Sequence, residues 1–246
     1  MVLSKIPFVE LLNKNKRVYV LLKYRGVDVI LVSAHLCSRD YNKHIRTKEL
    51  YKINSNLKTL PSSIGGDENI KQSVKNALRN HNVILLGDLN LHCPSENKIL
   101  MENGFNDLWL ELYSHRDGYT WDPARNTMIN IMLPFDNRRM RLDRIWLKDS
   151  KQLDLEDISI FADSKLGCWY LYPSDHFGLK ARIVLNWNGL TLRDNSYKKE
   201  VLKLAHILHF RSINRIVVYR VTWLVLLVII VLAIFIWLIV IPVKMM

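Results

Sequence analysis

The feature that most constrains this chain is an apolar run near its carboxyl end, residues 221–243, which contains no charged residue. A helix of about 20 apolar residues crosses a bilayer core about 30 Å thick. A buried helix of this length would need protein on every side, because it offers no polar face to water. The sequence therefore predicts one transmembrane helix at residues 221–243.

Basic residues precede this run, and only Lys244 follows it. Cytoplasmic flanks of membrane spans carry the excess of Lys and Arg, so we expect the rest of the chain to lie in the cytoplasm. Residues 1–7 lack the long apolar segment of a signal peptide. This pattern is typical of a single-pass tail anchor, and the length and apolarity of the run favour the endoplasmic reticulum.

The polar part of the chain is predicted to form a domain over residues 1–190 and a basic juxtamembrane segment over residues 191–220. That segment fits either ordinary positive-inside topology or a helix that lies in the headgroup layer. It accounts for part of the formal net charge of +12. The remaining positive charge is compatible with a nucleic acid or an anionic lipid as substrate, and charge alone does not separate the two.

Strand and helix patterns alternate along the polar part. Strands are predicted at residues 17–24, 27–34, 82–86, 140–147, 158–161 and 179–185. Helices are predicted at residues 41–60, ending at Pro61, and at residues 70–80 and 96–102. Alternation of this kind indicates a mixed α/β sandwich. The three cysteines, Cys37, Cys93 and Cys168, are widely spaced and fit a reducing cytosol.

Polar groups follow the predicted buried strand at residues 82–86, in the segment Gly87-Asp88-Leu89-Asn90. Residues two apart can point to the same side of a strand end. A carboxylate at Asp88 can orient or deprotonate a water, and an amide at Asn90 can hold a phosphate oxygen. The segment by itself is also an ordinary turn sequence.

A second polar segment is Pro173-Ser174-Asp175-His176, before the last predicted strand. An imidazole beside a carboxylate suits phosphate binding or general acid catalysis, and an acceptor must fix its tautomer. Asp143, in Arg141-Leu142-Asp143-Arg144-Ile145, is the candidate acceptor. His35 ends another predicted strand. Each group alone is weak evidence of a catalytic function, but their joint occurrence at strand ends predicts metal-assisted phosphoester hydrolysis.

These segments resemble the endonuclease/exonuclease/phosphatase superfamily, and within it the tyrosyl-DNA phosphodiesterase 2 branch. The matching stretches are Ser33-Ala34-His35-Leu36, Leu86-Gly87-Asp88-Leu89-Asn90, Gly118-Tyr119-Thr120-Trp121-Asp122 with Asn126, Arg141-Leu142-Asp143-Arg144-Ile145-Trp146 and Pro173-Ser174-Asp175-His176-Phe177-Gly178-Leu179. Their order and spacing agree over residues 18–187. The resemblance implies a two-sheet α/β sandwich and a nuclease-like phosphodiesterase that uses Mg²⁺, or Mn²⁺, with nucleic acid favoured over phospholipid as substrate.

The resemblance also implies a role for each matching catalytic residue. Asp88 would orient the attacking water, and Asn90 would stabilise the charge that develops on the phosphate. His176 would bind the scissile phosphate, held by Asp143, and His35 would contact another phosphate oxygen.

Three further residues match positions near the metal and the substrate. Asp175 would assist metal binding or positioning. Trp121 and Asn126 would lie near the substrate groove, where an aromatic face can stack on a base. A packed core indole is the alternative for Trp121.

The sequence departs from the family upstream of His35. Such enzymes carry a Trp-Asn motif and then a Gln-Glu motif, whose glutamate is the principal magnesium ligand, and the 34 residues before His35 contain neither. Glu10 is the sole acid before Asp28 and lies in a different context. We therefore expect an incomplete first half of the sandwich. Three interpretations stay open: an amino-terminally truncated phosphodiesterase, an inactive protein that retains the fold, and a fold completed by another polypeptide.

Two other functions stay open as well. A membrane anchor on this fold is also similar to neutral sphingomyelinases, in which a Gly-Asp-Leu-Asn-like segment is followed by His and Pro, as in Leu91-His92-Cys93-Pro94. A membrane-tethered scaffold with a basic face would bind anionic membranes or nucleic acid without turnover.

Overall fold

The structure, a computed structural model, describes residues 2, 4–167, 171–187 and 190–192. The strands are β1 (Phe8–Lys14), β2 (Arg17–Tyr24), β3 (Val27–Ala34), β4 (Val83–Asp88), β5 (Phe105–Asp107), β6 (Asp143–Lys148), β7 (Leu153–Phe161), β8 (Gly178–Trp187) and β9 (Leu190–Leu192). The helices are α1 (Lys43–Ser63), α2 (Glu68–Arg79), α3 (Pro94–Met101), α4 (Leu108–Leu112) and α5 (Thr127–Met132).

The strands form two sheets. The larger sheet has the order β1-β2-β3-β4-β6-β5, and the smaller has the order β7-β8-β9. The β3–β4 pair is parallel, with Ser33 opposite Leu86, and both strands therefore end at the same edge of the sheet. The β4–β6 pair is antiparallel and sets Asp88 opposite Asp143. Strand register alone thus brings three of the polar segments to one edge.

Side chains alternate between two cores on the two faces of the larger sheet, as the pleat of a strand requires. Ile30 and Val32 pack on one face with α1 and α2 side chains such as Ile53. Val29 packs on the other face with Ile158 and residues of the smaller sheet. The order of layers is helices, sheet, sheet, so the prediction of a two-sheet α/β fold is confirmed.

Most predicted elements are present, and two strands have the predicted ends. The predicted strands at residues 17–24 and 27–34 coincide with β2 and β3. The prediction that the first helix ends at Pro61 is wrong, because α1 continues to Ser63. A proline in the last turn removes a single N–H donor, and the Ser63 hydroxyl donates to the Leu60 carbonyl at 2.9 Å.

No helix within the described residues has the length and apolar character needed to span a bilayer. The predicted span, residues 221–243, lies outside those residues, as does the basic segment from residue 193 onward and Cys168. The domain boundaries, the tail anchor and the location at the endoplasmic reticulum stay predictions.

Candidate active site

Three of the predicted catalytic side chains meet at the edge of the larger sheet. Asp88, Asp143 and His176 each offer one oxygen or nitrogen atom, and these atoms all lie within 4.8 Å of one another. His176 Nδ1 is 2.7 Å from Asp143 Oδ2. His35 Nε2 lies 3.5 Å from Asp88 Oδ2 on the open side of the group. The structure therefore brings together residues that are far apart in the sequence.

The contact with Asp143 gives His176 a fixed orientation and a positive charge. Burial alone would lower the pKa of His176, but the hydrogen bond to Asp143 and the charges of Asp143, Asp88 and Asp175 raise it to about 9. The imidazolium therefore directs Nε2–H away from Asp143. A cation in this position suits a phosphate oxygen.

Asp88 has the environment of a base. Burial and the nearby Asp143 carboxylate raise the pKa of Asp88, and the charges of His176 and His35 oppose that shift. A carboxylate with a raised pKa takes a proton from water more readily than an ordinary surface aspartate.

The turn after β4 is tightly built. Asn90 has a φ of 50°, which is uncommon for a residue with a side chain. Gly87 has a φ of 132°, and a Cβ there would lie 2.0 Å from the Ala34 carbonyl oxygen. The Asn90 side chain donates to the Leu36 carbonyl at 3.2 Å. This turn holds Asp88 and Asn90 against the end of β3.

Trp121 is a buried neighbour of the site rather than an open stacking platform. Its side chain is 7% exposed and packs with Ile129 and Leu142. Its ring meets that of His176 edge-on, with the centroids 5.1 Å apart. The contact helps to orient the imidazole, and stacking of Trp121 on a base stays a prediction.

Asn126 is fully buried and holds the segment before His176. Its Nδ2 donates to the carbonyls of Ser174 and Asp175 at 2.8 and 3.1 Å. Its Oδ1 accepts from the Met128 amide at the start of α5. The structure therefore gives Asn126 a positioning role, and contact between Asn126 and a substrate stays a prediction.

Asp175 is separate from the group of three potential metal ligands in the described part of the chain. Its Oδ1 accepts a hydrogen bond from the Ser174 hydroxyl at 3.1 Å. A role for Asp175 as a metal ligand stays a prediction.

Glu10 lies on β1 and lines a groove of about 660 Å³ that also includes His35 and Asp88.

Thr120 also supports the site, although no role was predicted for this residue of a matching stretch. Thr120 Oγ1 accepts from the amides of Leu142 and Asp143 at 3.2 and 3.1 Å. The Thr120 carbonyl accepts from the Phe177 amide at 2.8 Å. Thr120 thus joins the start of β6 to the segment that carries His176. In the sequence, only the position of Thr120 next to Trp121 indicated that it lies near the site.

Residues 2–176 match the Endonuclease/Exonuclease/phosphatase family, and this chain belongs to that family. No curated protein sequence matches the chain significantly.

Solved structures with a similar fold include zebrafish TDP2 in complex with a single-strand DNA product. That protein is 24% identical with a TM-score of 0.51, and the match covers 73% of this chain and 67% of that one.

Two more matches are weaker. A humanised zebrafish TDP2 with 14 mutations is 22% identical, with a TM-score of 0.48 over 68% of this chain and 59% of that chain. The human nocturnin catalytic domain with bound sulfate is 19% identical, with a TM-score of 0.45 over 74% of this chain and 59% of that chain. This chain therefore spans about three fifths of the length of these two proteins.

Proposed function

We propose that this chain is a metal-dependent phosphodiesterase of the tyrosyl-DNA phosphodiesterase 2 type, anchored to a membrane. The observation that carries the proposal is the convergence of Asp88, Asp143 and His176 within 4.8 Å at the sheet edge. The group combines a carboxylate base with a protonated imidazole. These are the groups that hydrolysis of a phosphodiester by water requires.

Each residue has a distinct task in this proposal. Asp88 orients the attacking water and accepts its proton. His176 donates a hydrogen bond from Nε2 to the scissile phosphate, and Asp143 holds the ring through Nδ1. His35 contacts a second phosphate oxygen, and Asn90 stabilises the charge that develops on the phosphate oxygens.

The residues present fit a divalent cation in part, because they supply two carboxylates but not the glutamate that the family resemblance implies as the principal magnesium ligand, which is absent from the 34 residues before His35. Two carboxylates, Asp88 and Asp143, lie close enough to share one ion, and carboxylate oxygens are the ligands that Mg²⁺ and Mn²⁺ prefer. When bound, such an ion polarises the phosphoryl oxygen. His176 is better suited to the phosphate than to the ion, because its Nδ1 lies 2.7 Å from Asp143 Oδ2 and its Nε2 is the ring nitrogen left to face the substrate.

Nucleic acid is the substrate that we favour. The chain has a formal net charge of +12, and the groove beside His35 and Asp88 also includes Lys16 and Asn13. A basic protein attracts a polyanion. The single-strand DNA product bound to the structurally similar zebrafish TDP2 is compatible with this substrate class.

The test is cleavage of a 5′-phosphotyrosyl oligonucleotide by the full chain in detergent, with Mg²⁺, with Mn²⁺ and with a chelator. We expect turnover that needs the ion and that falls about 100-fold or more in Asp88→Asn. Glu68→Gln, which removes an exposed carboxylate on α2, is the matched control and retains activity. Ion-independent turnover, or equal rates in Asp88→Asn and the wild type, would contradict the proposal.

Membrane anchoring through residues 221–243 needs its own test. We expect the chain to remain in the membrane fraction after alkaline extraction, and the domain to be accessible to protease on the cytoplasmic side. A variant that lacks residues 221–246 should be released. Extraction of the full chain at high pH would contradict an integral anchor.

One observation keeps a phospholipid as a second candidate substrate. Four large apolar side chains are exposed in and just after α5, namely Ile131, Met132, Leu133 and Phe135, and Phe135 is 95% exposed. Exposed apolar patches mark membrane or protein contacts. Hydrolysis of sphingomyelin vesicles, assayed beside the oligonucleotide, distinguishes the two substrates.

A further inference from the structure

A buried ion pair joins α1 and α3. Arg46 on α1 and Glu96 on α3 are both 0% exposed, and Arg46 Nε donates to Glu96 Oε1 at 2.6 Å. Two charges are rarely taken out of water together unless the surrounding groups satisfy their remaining donors and acceptors. The partners of this pair are therefore informative.

The remaining nitrogens of Arg46 bind the loop that follows β3. Nη1 donates to the carbonyls of Cys37, at 3.2 Å, and Arg39, and Nη2 donates to the Asp40 carbonyl at 3.3 Å. This loop begins at His35, so one guanidinium fixes the backbone within a few residues of a proposed phosphate contact.

The other oxygen of Glu96 binds the loop that follows β4. Oε2 accepts from the amides of His92 and Cys93 at 3.0 and 3.1 Å, and from the Cys93 thiol at 3.2 Å. This loop follows Asp88, the last residue of β4, and contains Asn90. Burial alone would raise the pKa of Glu96, but the hydrogen bonds from Arg46 and Cys93 lower it, so the carboxylate is ionised.

We propose that the Arg46–Glu96 ion pair is a positioning device that sets the distance between the His35 loop and the Asp88–Asn90 loop. The two loops also touch directly, because the Asn90 side chain donates to the Leu36 carbonyl and the Leu36 amide donates to the Asp88 carbonyl. The ion pair joins the far sides of both loops and so limits how far they move apart. Its catalytic consequence rests on the function proposed above.

If the pair served stability alone, its loss would not act on the two loops in particular. Replacement of a buried ion pair by apolar residues of similar volume is often neutral or stabilising. The double variant Arg46→Met with Glu96→Leu therefore separates the two roles. It fills the same space but presents no donor to the first loop and no acceptor to the second.

The experiment compares amide hydrogen exchange in the full chain and in this double variant. We expect a lower unfolding midpoint, because the His92 and Cys93 amides lose their acceptor, and we expect exchange in residues 35–40 and 88–93 to accelerate about tenfold more than exchange in β2. Lys98→Gln with Glu102→Gln, which removes an exposed ion pair of α3, is the control and leaves both loops unchanged. Wild-type exchange in both loops of the double variant would overturn the proposal.

Arg46→Lys keeps the inference testable if the double variant does not fold. A lysine retains the charge that faces Glu96, but its single nitrogen does not serve three carbonyls at once. We expect faster exchange in residues 35–40 alone. Unchanged exchange there would overturn the proposal.

Turnover links the positioning device to the proposed function. Misplacement of the loops by about 1 Å should lower kcat by up to about 100-fold, with little change in KM. Faster exchange with unchanged kcat would overturn the catalytic consequence. If the wild type lacks activity, the exchange result still decides the positioning inference, and only the proposed function fails.

Discussion

The loops on the two sides of the site are held in different ways. The loops that carry His35 and Asp88 are joined by a buried ion pair between Arg46 and Glu96. The backbone of the loop that carries His176 is held by neutral groups, because Asn126 donates to the carbonyls of Ser174 and Asp175, and the Thr120 carbonyl accepts from the Phe177 amide.

Because of this difference, we expect substitutions on the two sides to change the stability of the chain differently. Loss of one member of a buried ion pair leaves a charge without a partner, whereas loss of a buried amide leaves neutral groups unpaired. The first side should therefore be the more sensitive to single substitutions.

The largest effect is expected from Glu96→Ala. The change strands the Arg46 guanidinium in the core and removes the acceptor for the His92 and Cys93 amides. We expect the free energy of unfolding to fall by about 3 to 5 kcal/mol. Urea unfolding measures it, and a loss below that of Asn126→Ala would contradict the comparison.

A somewhat smaller effect is expected from pH, through His176. Its pKa is about 9 in the folded chain against 6.5 for an unperturbed histidine, so its protonation stabilises the fold fully below pH 6.5. That stability, about 3 kcal/mol, is lost as the pH rises from 6.5 through 9. Unfolding free energies of the wild type and His176→Gln at pH 6, 8 and 10 measure it. The same decline in both proteins would refute the assignment.

Asn126→Ala should destabilise the chain by about 2 kcal/mol. It leaves two carbonyls without the Asn126 donor and removes the side-chain cap of α5. Because the loop before His176 loosens, we also expect the activity to fall. Thermal and urea unfolding give the first quantity and a turnover assay the second. Full activity would show that the loop is held without Asn126.

The smallest effect is expected from the exposed pair on α3. Lys98→Gln with Glu102→Gln removes an ion pair whose side chains are mostly in water, and such pairs contribute less than about 1 kcal/mol. Unfolding free energy and turnover should stay near wild type. A large loss would mean that α3 responds to any change of charge, and the contrast with Glu96 would disappear.

The chemical part of the site could be predicted from the sequence, and its support could not. Asp88, Asp143 and His176 stand at strand ends within short motifs, so local patterns locate them. Arg46 and Glu96 are 50 positions apart, and an arginine in a charged helix gives no sign of burial. The segment Cys93-Pro94-Ser95-Glu96 did carry a signal, because a proline at the first helical position and a glutamate two residues later are typical of a capped helix start.

In the fold as well, elements set by local sequence could be predicted, whereas elements that depend on contacts between distant residues could not. β2 and β3 are runs rich in residues that favour strands, separated by a short turn, and their ends were predicted correctly. β5 and α4 have three and five residues. Elements so short depend on tertiary contacts, such as the three hydrogen bonds from Arg141 and Arg144 to the Asp107 carboxylate.

The proposed phosphodiesterase function is tested most directly by turnover of a phosphodiester. Turnover is measured for the full chain and for His176→Gln, with and without a divalent cation. We expect cation-dependent cleavage in the wild type and a loss of about 100-fold or more in the variant. Cleavage at the same rate in both proteins would contradict the proposed function.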